Sequence, residues 1–417
     1  MNARKSLVLL CALAVLVADV GVACSSKANH SSATSSTSTT TASGSATAPP
    51  STGGAATNIY ANIGPDHLSP AIAQQPARVY VPNGRSNTVT IIDQASKTVV
   101  GQFATGAEPQ HIVPSYDLST LWVLLNSGYQ VQPIDPATST PGAAIPVDDP
   151  YNMYFTYDGS SAIVVAEARQ RLDFRDPHTM ALQSAIDVKG CAGINHADYN
   201  ADGTYLIVTC EFAGRLAKID MTTRTVVGML DLGAHPVAGQ PHPMAMAMPT
   251  GGTNSYMPQD VRAAPDGHHF YVADMLAGGV FVVDGDSFTV TKFIPTGIGA
   301  HGITPSRDGT RFFIANRGSD QIDGPPHGPG SVSVLDTTTD TVVATWDVPG
   351  GGSPDMGNVN AAGTELWLSG RFDSEVYVFD TVHGGLMTRI PVGAGPHGLT
   401  VWPQAGRFSL GHTGNMR

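Results

Sequence analysis

A closed ring of seven four-stranded antiparallel blades, an all-β propeller, is the fold that this 417-residue sequence predicts. Three observations carry the expectation. A module of two β-rich stretches, Arg78-Val-Tyr-Val-Pro-Asn83 and Thr88-Val-Thr-Ile-Ile-Asp93, recurs along the chain, its closing aspartate returning at Asp135, Asp176, Asp220, Asp284, Asp336 and Asp380. The steps between these aspartates are 42, 41, 44, 64, 52 and 44 residues, and a period near forty belongs to stacked units of four short strands. Charged residues are only 13% of the chain, whereas 46 Gly and 30 Pro supply the turns that many short strands need.

Taken in order, residues 1–23 predict a secretory signal: Arg4 and Lys5, then the apolar run Leu7–Ala18, then the small Ala23 before Cys24. The apolar run is too short for an ordinary spanning helix. Val20-Gly-Val-Ala-Cys24 resembles the lipobox of bacterial lipoproteins, with Gly21 where Leu is usual. That resemblance implies lipidation at Cys24 and a protein held to the outer face of the cytoplasmic membrane by its N-terminal lipid alone. A plain secreted protein is the alternative. Residues 24–58 are almost all Ser, Thr, Ala, Gly and Pro, a composition that buries too little apolar surface to order itself, so a disordered linker is expected. Residues 59–417 are the expected propeller.

Within that region four strand types alternate. One reads like Val79–Asn83 and returns at Leu121–Asn126, Ala162–Glu167, Tyr205–Glu211, Phe270–Asp274, Phe312–Asn316, Leu366–Gly370 and Phe408–His412. The second ends in the repeating Asp, whose carboxylate is suited to bond backbone two residues on and set the next turn. The third follows a Thr/Asp-rich turn, as in Thr341-Val-Val-Ala344. The fourth opens on a corner such as Gly395-Pro-His-Gly-Leu399 and runs to an Asp-Gly turn such as Ala201-Asp-Gly203. Seven copies of three types and eight of the first leave one strand over. Closure therefore mixes N- and C-terminal strands in one blade, with either Val79–Asn83 or Phe408–His412 in the shared slot. A closed ring has no free sheet edge, so a monomer is expected.

These repeats are similar to those of the YVTN-repeat (YncE-like) β-propellers, over roughly residues 75–417, and Ser115-Tyr-Asp-Leu, Phe174-Arg-Asp-Pro-His178 and Ser409-Leu-Gly-His-Thr413 resemble segments of exported actinobacterial members. The resemblance implies a propeller in the cell envelope but no single activity. More distant relatives implied by it include the haem-d1 domain of cytochrome cd1 nitrite reductase, and kinship of fold alone is weak ground for chemistry.

The seven corners that open the innermost strands supply the candidate site. They place His111, Asn152, His196, Asp260, His301, Asp355 and His397 at the channel mouth, and Arg215, Arg317 and Arg371 follow strands that end there, as do Arg169 and Arg171. Imidazoles with carboxylates form a transition-metal set, and guanidinium groups hold anions bidentately. Polar corners of this kind also serve as blade-to-blade hydrogen bonds. Two insertions, Ala234–Met257 and Ser319–Gly330, interrupt the period and should emerge on the same face. In the first, His242, Met244, Met246 and Met248 alternate with small residues, a soft-ligand pattern suited to copper; together with His196, His301 and His397 they form the candidate copper set. A flexible loop or an apolar lid is the competing expectation. Cys191 and Cys210 fall at the same blade end, which in an exported protein predicts a disulfide.

The formal charge of −12 argues against nucleic acid. Serine-hydrolase, zincin, phosphate-loop and haem-attachment motifs are missing, and Gly297-Ile-Gly-Ala-His-Gly302 has no helix to receive a pyrophosphate. The function expected is a binding or interaction module using the channel-mouth face, for a protein, glycan or small molecule. The alternative is a copper-dependent or cofactor-bearing envelope oxidoreductase. A lactonase-like hydrolase using Asp260, Asp355, Glu167 and Glu211 suits the histidine excess poorly.

Overall fold

The structure, a computed structural model, describes residues 58–234 and 236–417; the expected signal segment, Cys24 and the linker as far as residue 57 lie outside the described residues, as does His235. Seven antiparallel four-stranded blades form a ring, almost without helix. We number the blades in chain order. Blade 1 holds Arg78–Asn83, Thr88–Asp93 and Thr98–Ala104, and its innermost strand is Thr400–Trp402 from the far end of the chain. Tyr80 pairs with Thr400, Val79 with Val401 and Arg78 with Trp402. The contest for the shared slot is thus resolved for Val79–Asn83. Blades 2 to 7 are continuous, with inner strands Pro109–Pro114, Pro150–Phe155, Ile194–Tyr199, Pro258–Ala263, Ala300–Pro305 and Pro354–Val359.

The local chemistry behaves as the repeat predicts. Each repeating aspartate bonds the turn after it: Asp93 accepts from Ser96 N–H, Asp220 from Thr223, Asp284 from Ser287 and Asp336 from Thr338 and Thr339. Alternating side chains of neighbouring blades then interdigitate. Between blades 2 and 3, for instance, Trp122, Leu124 and Val131 meet Met153, Phe155 and Val164 in one buried cluster. Face-to-face packing of this kind, rather than a central core, accounts for most of the apolar burial.

Phe408–His412, the surplus copy, is no blade strand. Residues 403–417 pass through the channel. Ser409 N–H bonds Tyr116 O, Leu410 O accepts from Phe155 N–H, and His412 N–H bonds Met153 O at 2.8 Å. Gly411 is required there, because a Cβ would lie 2.4 Å from Met153 O and from Tyr154 Cα. Arg417 bonds Asp198 at 3.0 Å and lies over the Tyr60 ring, and Tyr60 OH donates to Ala263 O at 2.7 Å. The segment from Asn58 and the residues 403–417 thus close the end of the channel where the inner strands finish. No helix among the described residues is long and apolar enough to cross a membrane.

Candidate functional site

At the other end the inner strands begin, and six of the seven carry a register irregularity between their first few residues. It turns two consecutive side chains toward the axis, giving two tiers. The upper tier holds Gln110, Tyr151, Asn195, Gln259, His301, Asp355 and His397; the lower holds His111, Asn152, His196 and Asp260, with Gly302, Met356 and Gly398 completing it. Every polar member of both tiers is buried, Tyr151 being the most exposed at 8%. The predicted ring residues therefore converge, but inside the channel rather than at its solvent rim.

Five imidazoles crowd together, because His412 rises from the channel segment to join the four on the inner strands. The ring centroid of His111 lies 4.7 Å from that of His397, 5.4 Å from His412 and 5.5 Å from His196, and His196 lies 5.0 Å from His412. Ligand nitrogens of His111, His196 and His412 all fall within 4.8 Å of one another. Gly398 makes the room: a Cβ there would sit 2.1 Å from Cδ2 of His111.

The proton positions follow from the partners. His111 Nδ1–H donates to Tyr151 O at 3.0 Å, which leaves Nε2 bare, and Nε2 has no partner among the described residues. Neither nitrogen of His196 has one. His397 Nδ1–H donates to Asp355 Oδ2 at 2.6 Å, with Nε2 3.4 Å from Tyr151 OH. His301 Nδ1 lies 2.9 Å from Asp355 Oδ1 but off the direction a hydrogen bond requires. His412 Nδ1 accepts from Asn152 Nδ2 at 2.9 Å, so its proton sits on Nε2, 3.7 Å from Asp260.

Burial dominates the titration of these groups. It lowers His111 to about 3, and with Arg317 it lowers His301 to about 4. His196, His397 and His412 are likewise held well below the usual imidazole range by burial, so all five are neutral at pH 7. Burial pushes the Asp355 carboxyl up, but Arg317 and then His301 and His397 outweigh it and hold it well below the carboxylate range. Arg317 Nε donates to Asp355 Oδ1 at 2.8 Å in this buried network. Nearer solvent, Glu211 is bonded by Asn195 and Gln259; burial raises its carboxyl, and burial with Glu211 raises that of half-buried Glu167. Half-buried Arg371 faces a recess of about 380 Å³ shared with Arg85, Glu108, Gln110, Ile322 and Asp323, the last of which pairs with Arg85. Its guanidinium makes no hydrogen bond or ion pair among the described residues.

Several predicted site residues are elsewhere. Arg215 is a correction: it opens the third strand of blade 4, nearly half exposed and 3.4 Å from Asp231, because that strand stands two places out from the inner strand in the sheet. Arg169 and Arg171 pair with Asp148 in the same outward zone. Asp260 serves the blade-to-blade role, accepting from Val261 N–H and from Ile303 N–H of the next blade, both at 2.9 Å. The soft-ligand set does not assemble either. His242 is exposed beside Tyr256, Met244 is 91% exposed, and Met248 packs with Met257 and Met275. Met246 flanks that cluster, and Ile322 of the second insertion joins it, so the two insertions meet as an apolar cover. Met275 also reaches Arg317, with Sδ 3.6 Å from Nη1. Cys191 and Cys210 form a disulfide closing a 19-residue separation.

No family model matches the sequence. No curated protein matches it either. Solved structures do share the fold. Kuenenia stuttgartiensis hydrazine synthase is 17% identical with a TM-score of 0.56, over 77% of this chain and 94% of that one. A functionally unknown protein from Desulfotomaculum acetoxidans is 15% identical with a TM-score of 0.58, over 78% and 98%. The dihydro-haem d1 dehydrogenase NirN, solved in complex with DHE, is 13% identical with a TM-score of 0.53, over 80% and 78%. Such likeness defines a class, the seven-bladed β-propellers, and at these identities it extends to fold alone.

Proposed function

We propose that this chain is an exported, lipid-anchored propeller of the YVTN type that binds a small anionic ligand through its channel mouth. The observation that carries this reading is Arg371. Its half-buried guanidinium stands unpaired above a chamber of neutral imidazoles, while the opposite end of the channel is closed by residues 403–417. A half-buried, unpaired guanidinium is a bidentate receptor for carboxylate or phosphate. Glu167 and Glu211, whose carboxyls burial raises, stand on the same rim. The test is a thermal-shift and calorimetric screen of citrate, succinate and inorganic phosphate on the full chain and on Arg371→Gln. Saturable binding that falls at least tenfold in the variant supports the mouth as the ligand site; equal binding by both proteins, or none, refutes it. The oxidoreductase alternative draws on the clustered imidazoles and needs a bound metal.

A further inference from the structure

We infer that His111, His196 and His412 form a binding site for one divalent first-row transition ion of the imidazole-preferring kind, Zn²⁺ or Cu²⁺, with one ligand delivered by the channel segment. This extends the reading of the channel as a binding chamber and stands on a different part of it, the lower tier rather than Arg371.

Three independent features lead there. The first is proximity: the three side chains offer nitrogens within 4.8 Å of one another. An ion held at 2.0–2.1 Å from each of three nitrogens in tetrahedral geometry sets them roughly 3.4 Å apart, so about an ångström of side-chain rotation closes the set. The second is that two of the three imidazoles have nitrogens without partners. Both nitrogens of His196 and Nε2 of His111 are buried and unbonded, and a buried polar atom without a partner is costly unless something occupies it. The third is the support behind His111, which gives its Nδ1–H to the Tyr151 carbonyl, the arrangement that directs Nε2 toward a metal and keeps it unprotonated. His397 is the nearest group to a fourth position, 4.7 Å from His111 between centroids, and lies on the side that faces the mouth.

His412 requires a change that makes the inference specific. In the metal-free chain its Nδ1 accepts from the Asn152 amide, so Nε2 carries the proton. Coordination through Nε2 moves that proton to Nδ1 and turns the Asn152 amide so that its oxygen accepts it, giving up the bond that oxygen accepts from Met153 N–H at 2.8 Å. A carboxylate at position 152 would accept that proton without any rotation. Asn152→Asp should therefore strengthen binding, whereas loss of any one of the three imidazoles should weaken it.

The experiment uses the full chain, stripped with a chelator and then titrated with CuCl₂ and, separately, ZnCl₂. Wild type should take up one ion per chain. His196→Gln and His412→Gln should each weaken binding at least tenfold, with His242→Gln as a control that leaves it unchanged. Copper-loaded wild type should show magnetic coupling to at least three imidazole nitrogens by pulsed electron paramagnetic resonance, a readout that does not depend on the variants folding. No uptake, coupling to one imidazole or none, or equal affinity in His196→Gln, His412→Gln and wild type overturns the inference. Failure here with Arg371-dependent anion binding intact would remove the ion alone; loss of the anion with metal uptake intact would remove the mouth reading alone.

Discussion

Asp355 is the carboxylate on which the upper tier depends, and its pairing with Arg317 is measurable as a coupling. Both side chains are almost wholly buried, at 0% and 5% exposure, with Nε 2.8 Å from Oδ1. Two unit charges about 4 Å apart attract by roughly 4 kcal/mol at an effective dielectric constant near 20. Removing one partner leaves the other charge buried and uncompensated, which costs about 3–5 kcal/mol. Asp355→Asn keeps an oxygen for His397 Nδ1–H but removes the charge, and Arg317→Gln removes the cation. Each single variant should lose about 3–5 kcal/mol of unfolding free energy, whereas the double variant should lose about 2 kcal/mol less than the sum. The assay is urea denaturation of the chelator-treated full chain by tryptophan fluorescence and circular dichroism, with coincident transitions required before free energies are extracted. Losses that add to within about 0.5 kcal/mol would refute the pairing as the organising contact of this tier.

Gly398→Ala places a methyl group 2.1 Å from the His111 ring and should destabilise the chain by about 1–3 kcal/mol, lowering its melting temperature; an unchanged melt would contradict the close approach. Asp274 is fully buried, accepting from Met257 and Ala277 N–H, and burial raises its carboxyl to about 7. Because the folded value lies above the unfolded value of 3.8, its contribution to stability is complete below pH 3.8 and is lost as pH rises to about 7. Wild type should therefore lose about 4 kcal/mol relative to Asp274→Asn between pH 4 and 7 and stay level above that; a difference independent of pH would refute the shift.

The blades were legible because their signal is local and repeated. An aspartate that bonds its own turn, a positive-φ glycine in Asp-Gly hairpins and period-2 alternation need no knowledge of the rest of the chain. The four inner-strand histidines were legible for the same reason, since their place in the repeat fixes their direction. His412 was not. Phe408–His412 has the alternation of a blade strand, and only the competition with Val79–Asn83 for one slot sends it into the channel. The surplus copy was the available signal, and it pointed to a leftover segment without saying where that segment would lie. Arg215 misled because it follows the second strand closely in sequence, yet it opens the third strand, two places out from the inner strand in the sheet. In the insertion, His242 and Met244 lack any periodic constraint, and burial chose Met248 instead, for the ordinary reason that an unbranched thioether fills an irregular gap.

Joining residues 78–80 to 400–402 has a consequence for how the protein is made. Blade 1 waits for a partner more than three hundred positions downstream, and contacts of such separation form late and slowly. Until Thr400–Trp402 arrives, the blade exposes an unpaired strand edge, a surface that recruits other chains. A truncated product lacking those residues would lack the ring's seal and His412 together. Closure of the ring and delivery of His412 to the chamber are therefore one event.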